Sequence, residues 1–557
     1  MFNRFCASRQ MVTHLKRWKA TAPIPQVIFN KTERQIKFTP GNEYYGFVCT
    51  GSDYVPDFNM TAYLFRHEKT GSEYLHLDRA DSNNVFSINF RTTPFDSTGL
   101  PHILEHTVLC GSEKFPVRDP FFKMLTRSLA TFMNAMTGPD YTIYPFSSMN
   151  ETDFRHLQKI YLDAVFRPNL KYLDFKQEGW RLEHSNLKDP KSDFALKGVV
   201  YNEMKGAFSE NASVFGQNFL NEILPGHTYK YVSGGDPLHI PQLTHEDLVN
   251  FHRRYYHPSN ARFFSYGNFS AEKSMAYIND HYLANGESIN VSYSKVPPQE
   301  RWTSPREAHI SCRHDSLGVA FEKQNQIAIG YLMSDITDTY ETLKLYVLSE
   351  LLVRGPNSYF YRNLIEPNIS GGFNSLTGFD SQLKDTMFVV GLQDMDSADF
   401  QKVKDIFEHT IDQAIQQGFE KKHVESVLHN IELMLRHQSP KFGLGLLFNV
   451  APYWNHGGDV FATLQVGALM KKLRENLKDP QYLQKSVEHY FRDNNHRLTM
   501  TMSPDRDFET KFIEKESEML KEKVQALGAE DKARIYADGL ELEKCQKGKD
   551  DITSCPA

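Results

Sequence analysis

"TFMNAMTGPDYTIYPFSSMNETDFRHLQKIYLDAVF" (131–166) and "GGFNSLTGFDSQLKDTMFVVGLQDMDSADFQKVKDIF" (371–407) are two versions of one pattern. "FMNAMTG" aligns with "GFNSLTG", and "ETDFRHLQKIY" with "SADFQKVKDIF". Upstream of each lies an apolar strand, "VFSINFRT" (85–92) and "QIAIGYLM" (326–333), followed by a helix at 99–110 and at 339–353. Downstream, "LVNFHRRYYHPSNARFFSYGNFS" (248–270) resembles "SVEHYFRDNNHRLTMTMSPD" (486–505), and the spacing agrees: Asn134 to Asn260 is 126 positions, Asn374 to Asn495 is 121. Internal self-similarity at this scale means a repeated supersecondary unit.

Each copy reads as strand, helix, two strands, several helices and a closing strand. That order predicts an α+β fold: two homologous domains, each a mainly antiparallel sheet with helices packed on one face. The polar stretch 286–325, with Pro297 and Pro298, reads as the inter-domain connection. It separates a first domain at 33–285 from a second at 326–505. After 505 the chain turns highly charged and reads as a helical hairpin broken near Gly528, with an unstructured tail, over 506–557.

Composition sets limits on function. The 557 residues are 40% apolar and 24% charged, with no apolar run near the ~20 residues that span a bilayer, so membrane insertion is not expected. Residues 1–32 carry Arg4, Arg9, Lys16, Arg17, Lys19 and Lys31 and no acid, which reads as a mitochondrial transit peptide. Removing those six from 63 basic residues leaves 57 against 69 acidic, a net charge of −12. An acidic body argues against nucleic acid as partner and suits cationic ligands. Six scattered cysteines without a CxxC fit a reducing compartment.

The chemistry is concentrated in "GLPHILEHTVLCGS" (99–112). Thr98 is the expected cap, Pro101 lies in the first turn and Gly111 follows the last. One turn separates His102 from His106, so both imidazoles fall on one helix face and fit a single Zn²⁺. Glu105 stands beside them, placed to take a proton from a water that the metal acidifies. This is H-x-x-E-H, the inverted zincin order. The equivalent helix of the second copy, "YETLKLYVLSELLVRG", has no histidine, as expected of one active copy and one scaffold copy.

A catalytic zinc needs a third protein ligand and an open position. Glu203, on the apolar "LKGVVYNEMKGAFS" helix, is one source; Glu178 and Glu183 in "FKQEGWRLEH" are others, and spacing does not choose among them.

"GLPHILEHTVLCGSEKFPVRDPFFKML", "NAMTGPDYTIYPFSS", "QEGWRLE" and "GVVYNEMKGAF" together resemble the pitrilysin-type inverzincins, from about residue 33 to the end. The resemblance implies a zinc metalloendopeptidase that degrades unfolded peptides, such as cationic mitochondrial presequences in the matrix. It implies His102, His106 and Glu203 as ligands of one zinc, Glu105 as general base, and Glu178 as an outer partner that orients a histidine. It also implies four domains in two halves, with an Arg and a Tyr of the second half holding the substrate carbonyl. No counterpart of that pair is found here, and the C-terminal half is expected as a covalent or non-covalent partner. The alternatives are a half-enzyme that binds zinc and peptide with little turnover, or a non-catalytic structural subunit of the same fold.

Weaker signals remain. Leu109, Phe121, Phe122 and Leu125 form a possible pocket for a substrate side chain, against the plainer reading of core packing. "TFMNAMTG", with Asn134, reads as an edge strand that a peptide could join by main-chain hydrogen bonds, or as an internal strand. Cys110 reads as a buried structural thiol.

Overall fold

The computed structural model describes residues 37–548. The proposed transit peptide and the last residues of the tail lie outside them. The residues from Phe38 onward form one compact unit built on two large sheets.

The first sheet has nine strands: β1 (Glu43–Tyr44), β2 (Phe47–Val55), β3 (Met60–His67), β4 (Glu73–Asp78), β5 (Asn84–Arg91), β6 (Ala130–Met133), β7 (Met136–Thr137), β8 (Tyr141–Ser148) and, after the small hairpin of β9 (Arg181–His184) and β10 (Phe194–Lys197), β11 (Ala261–Gly267). Their order is β1-β2-β3-β4-β11-β5-β8-β6, with β7 also on β8. The second sheet contains β12 (Arg306–Arg313), β13 (Asn325–Asp335), β14 (Gly372–Phe373), β15 (Gly378–Asp380), β16 (Asp385–Met395) and β17 (Arg497–Asp505), in the order β12-β17-β13-β16-β14. The two sheets repeat one topology. Closing strand β11 runs parallel to β4 and antiparallel to β5, and β17 runs parallel to β12 and antiparallel to β13. All other pairings are antiparallel.

β12 lies inside the stretch expected to be connection. The segment 286–325 is therefore not all linker: its second half supplies an edge strand of the second sheet that runs parallel to β17, as the internal strand β4 does to β11 in the first. "REAHISCR" escaped notice because its exposed face is charged and only Cys312 is fully buried. The repeat also aligns one residue differently from the sequence match. Asn260 donates from its side-chain amide to the carbonyls of Arg91 and Tyr255, and Asn494, not Asn495, does the same to Leu332 and Tyr490.

Alternation along the strands gives each sheet two apolar faces. In the second sheet, Ile327, Ile329, Tyr331 and Met333 point to the copy's own helices, while Ala328 and Leu332 point the other way. That other face is covered by Phe215, Phe219 and Ile223 from the Asn211–Ile223 helix of the first copy. The first sheet is treated reciprocally: Leu75, Leu77, Phe264 and Tyr266 meet Phe442, Leu446, Leu447 and Trp454 from the Phe442–Asn455 helix of the second copy. The copies thus share cores, which explains why contacts do not divide them into independent units.

Among the described residues no helix is long and apolar enough to cross a membrane. The charged C-terminal stretch forms two helices, Phe508–Gln525 and Ala529–Lys547, turning at Gly528.

Candidate metal centre

The site is assembled by α1 (Leu100–Val108), α2 (Pro120–Arg127), α3 (Glu151–Phe166), α4 (Tyr172–Glu178) and α5 (Val199–Ala207), set against the β6–β8 edge of the first sheet. α1 does not begin at a Thr98 cap. Thr98 Oγ1 donates to Asp96, and the residue before the helix is Gly99, in left-handed conformation at φ 74°. A Cβ at Gly99 would lie 2.7 Å from Gly235 Cα and 2.8 Å from Gly234 O. Glycine there lets the start of α1 press against the 234–235 loop.

That contact has a use. His102 Nδ1 lies 3.0 Å from Gly234 O, and His106 Nδ1 lies 3.1 Å from Glu178 Oε2. Each Nδ1–H donates to an oxygen, which fixes the tautomer and leaves Nε2 with its lone pair outward. Both Nε2 atoms lie 3.8 Å from Glu203 Oε2. The three ligand atoms fall within 4.8 Å of one another. Two imidazole nitrogens and one carboxylate oxygen are ligand types that zinc takes. The donor set and the outward Nε2 atoms fit the metal.

The three carboxylates occupy different settings. Glu203 is about half exposed, with its side chain at 50%. Its helix is less enclosing than the apolar run "LKGVVYNEMKGAFS" suggested, so burial of a lone charge is not what favours it. Glu178 is buried; its Oε1 accepts from Gln177 Nε2 at 2.7 Å, and Gln177 in turn accepts from Arg118. Burial opposes charge on both partners of the His106–Glu178 pair. Burial is the largest single effect on each, but the hydrogen bond between them and the surrounding charges together exceed it: Glu105, Glu178 and Glu203 raise the His106 pKa, and His106, Gln177 and Arg118 lower that of Glu178. Glu183 is held by Arg181 at 2.7 Å and Lys197 at 2.5 Å, in an ion-paired cluster of its own.

Glu105 is buried and accepts from Thr137 Oγ1 at 2.7 Å. Thr137 lies on β7. Asn134 sits between β6 and β7, exposed, with its N–H donating to Pro145 O at 3.2 Å. Asn374 holds the matching place between β14 and β15 and donates to Gly391 O. β6 has β8 on one side only, so "TFMNAMTG" begins as an edge strand.

Of the expected pocket residues, Leu109 and Phe121 are core residues, 8% and 7% exposed, while Phe122 and Leu125 stand 59% and 48% exposed; the Phe121 and Phe122 rings meet edge-on at 5.3 Å. Cys110 is buried, and burial together with Glu178, Asp119 and Asp174 pushes its thiol well up. Sequence reasoning missed Gly234, Gln177, Arg118 and Thr137. Only Thr137 carried a signal, inside the repeated "MTG"/"LTG".

A histidine pair and a glutamate thus converge on two helices of a doubled α+β scaffold, with a buried carboxylate beside an edge strand. Comparison with known proteins gives the following. A family model described as Peptidase M16 inactive domain matches residues 242–431, and a second model, for a segment associated with the C subfamily of the same peptidases, matches residues 502–557. The first match begins beyond all the residues of this site. The chain is 58% identical over 525 residues to "Presequence protease, mitochondrial" of Drosophila melanogaster, covering 94% of this chain and 51% of that protein. It is 40% identical over 525 residues to the protein of the same name from Yarrowia lipolytica, covering 93% and 52%. The chain spans about half the length of the curated relatives it matches. Among solved structures, a protease from Helicobacter pylori aligns at TM-score 0.61 and 16% identity, covering 78% of this chain and 98% of that one. Pitrilysin aligns at TM-score 0.55 and 15% identity, covering 84% and 47%. Parts of the chain match models of M16 peptidase segments, and its fold is similar to that of pitrilysin.

Proposed function

We propose that this chain carries the zinc site of a mitochondrial matrix metalloendopeptidase that degrades unfolded peptides, cleaved presequences among them. The observation that supports this most is the convergence of His102 Nε2, His106 Nε2 and a Glu203 oxygen within 4.8 Å, each imidazole being held by its other nitrogen. Bound zinc supplies a Lewis acid that polarises a carbonyl and acidifies water.

The chain's own residues do the rest. An extended peptide adds to the open side of β6, its main chain hydrogen-bonding along the edge, which places a peptide bond in front of α1. Glu105, one position before His106, takes the proton of the attacking water and returns it to the leaving amine. Thr137 holds one Glu105 oxygen and keeps the carboxylate aimed. Glu178 stabilises the positive charge that His106 acquires on donating to a metal. The acidic body, at net charge −6 for the whole chain, favours cationic substrates.

The test is cleavage of a short cationic peptide, with zinc measured on the same samples. One zinc per chain and chelator-sensitive cleavage are expected. A chain that takes up no zinc overturns the reading. Zinc uptake without cleavage supports the second reading, a half that binds metal and peptide but turns over little.

A further inference from the structure

We propose that the C-terminal hairpin is a clamp that positions the third metal ligand, with Glu516 as its principal positioning residue. This rests on the zinc reading of the site.

Of the three ligand side chains, Glu203 alone lacks a fixing hydrogen bond among the described residues. His102 is tied to Gly234 and His106 to Glu178. The place of Glu203 therefore depends on where its helix sits. α5 is short, nine residues, and no side-chain cap holds its start. Two of its residues, Tyr201 and Lys205, flank Glu203 at minus two and plus two. At 100° per residue those two share one face and Glu203 points the opposite way. Both are bound by a single carboxylate: Glu516 accepts from Tyr201 Oη, and from Lys205 Nζ at 2.6 Å. The back of α5 is thus fastened to the hairpin while its front meets the histidines.

The second arm reaches the other acidic residue. Gln546 Nε2 donates to Gln177 Oε1 at 3.2 Å, Gln177 Nε2 donates to Glu178 Oε1 at 2.7 Å, and Glu178 Oε2 accepts from His106. Between these points the hairpin lies over β9 and β10, the strands leading into α5. Lys523 stands over the Trp180 ring at 5.0 Å and the Tyr536 ring meets His184 at 5.7 Å. The Phe508–Gln525 arm buries none of its residues, while the Ala529–Lys547 arm buries Gly539 and Leu542. The first arm also pairs Glu509 with Arg313 of β12 at 3.4 Å, and its contacts through Glu516 are polar and directed at the helix that carries Glu203.

The experiment measures zinc affinity of the whole chain by competition with a chromogenic chelator, with thermal unfolding of the metal-free protein alongside. Outer residues that orient ligands typically contribute about 10–100-fold to metal affinity. Glu516→Ala is expected to weaken zinc by about 10-fold, while Glu516→Gln, which still accepts from Tyr201, recovers part of it. Glu514→Ala, on the exposed side of the same helix, should change neither. If Glu516→Ala lowers the metal-free unfolding temperature, Tyr201→Phe, which removes one hydroxyl and keeps the ring, reads the same contact without that complication. Wild-type affinity in both Glu516→Ala and Tyr201→Phe overturns the clamp. Absence of zinc from the wild-type chain overturns instead the reading on which it rests.

Discussion

His106 Nδ1 and Glu178 Oε2 lie 3.1 Å apart, on the side of the imidazole away from Nε2. That contact distinguishes two acids that spacing left equivalent. A carboxylate engaged by Nδ1 orients the ring, whereas one facing Nε2 shares the ring's open coordination direction, and Glu203 faces both Nε2 atoms. Glu203→Ala is therefore expected to abolish stoichiometric zinc, and Glu178→Ala to weaken it by about 10–100-fold. Metal titration of both variants checks this. Equal losses would mean that the two acids are not distinguished by role.

Glu105 and the histidines separate in the same way. His102→Ala removes a ligand atom and should lose the metal together with activity. Glu105→Gln leaves the ligand set intact and keeps an acceptor for Thr137, so it should retain zinc and lose peptide cleavage by about 10²–10⁴-fold, the usual contribution of a general base. Zinc content and turnover measured on the same preparations decide it; a Glu105→Gln chain that arrives metal-free would make Glu105 a ligand.

The features legible in the sequence were local or repeated. H-x-x-E-H is a short local pattern, and helix geometry alone puts His102 and His106 on one face. The repeat was visible because both copies keep the same edge, with Asn134 and Asn374 each donating its backbone N–H to the neighbouring strand. The features missed depend on contacts between distant segments. Thr98 looks like a cap, but the left-handed turn at Gly99 is set by a loop 135 positions on, at Gly234. The burial of Leu109 and Phe121 depends on the core that distant segments build around them. β12 does carry the alternation of a half-buried strand, with Ala308, Ile310 and Cys312 between Glu307, His309, Ser311 and Arg313, but it is masked by the polar, proline-containing stretch around it.

Stability should fall in mild acid, and His496 marks one source. It is fully buried, stacked on Trp302 at 3.9 Å, with Nε2 donating to Ile223 O at 2.8 Å and Nδ1 accepting from Trp302 N. Burial pushes its pKa down to about 4. The unfolded chain protonates at the ordinary value of about 6.5. The neutral form's stabilisation is then complete above that value, declines as pH falls from about 6.5 toward 4, and is fully lost below. One such group is worth at most about 3 kcal/mol across that window. Urea midpoints at about pH 7.5 and about pH 4.5, either side of most of that window, should differ less in His496→Asn than in the wild type. An unchanged difference would show that His496 is not among the groups responsible.

Two glycines on one helix test how tightly the site is packed. Gly198 precedes α5, and a Cβ there would lie 2.0 Å from Gly179 O and 2.8 Å from Trp180 Cα. Gly179 ends α4 directly after Glu178, so this approach sets the spacing between the helix of Glu178 and the helix of Glu203. The clash is with backbone, which cannot swing aside as a side chain can. Gly198→Ala should lower stability by about 1–3 kcal/mol or more and shift α5, weakening zinc as well. Gly206, near the end of the same helix, has nothing within 4 Å of an added Cβ. Gly206→Ala should be neutral or stabilising by about 0.4–1 kcal/mol, since it restricts only the unfolded chain. Thermal unfolding and zinc titration of the pair give the answer. If Gly198→Ala melts with the wild type and holds zinc as well, the α4–α5 approach is not what places Glu203, and the register of the ligand set must come from elsewhere on α5.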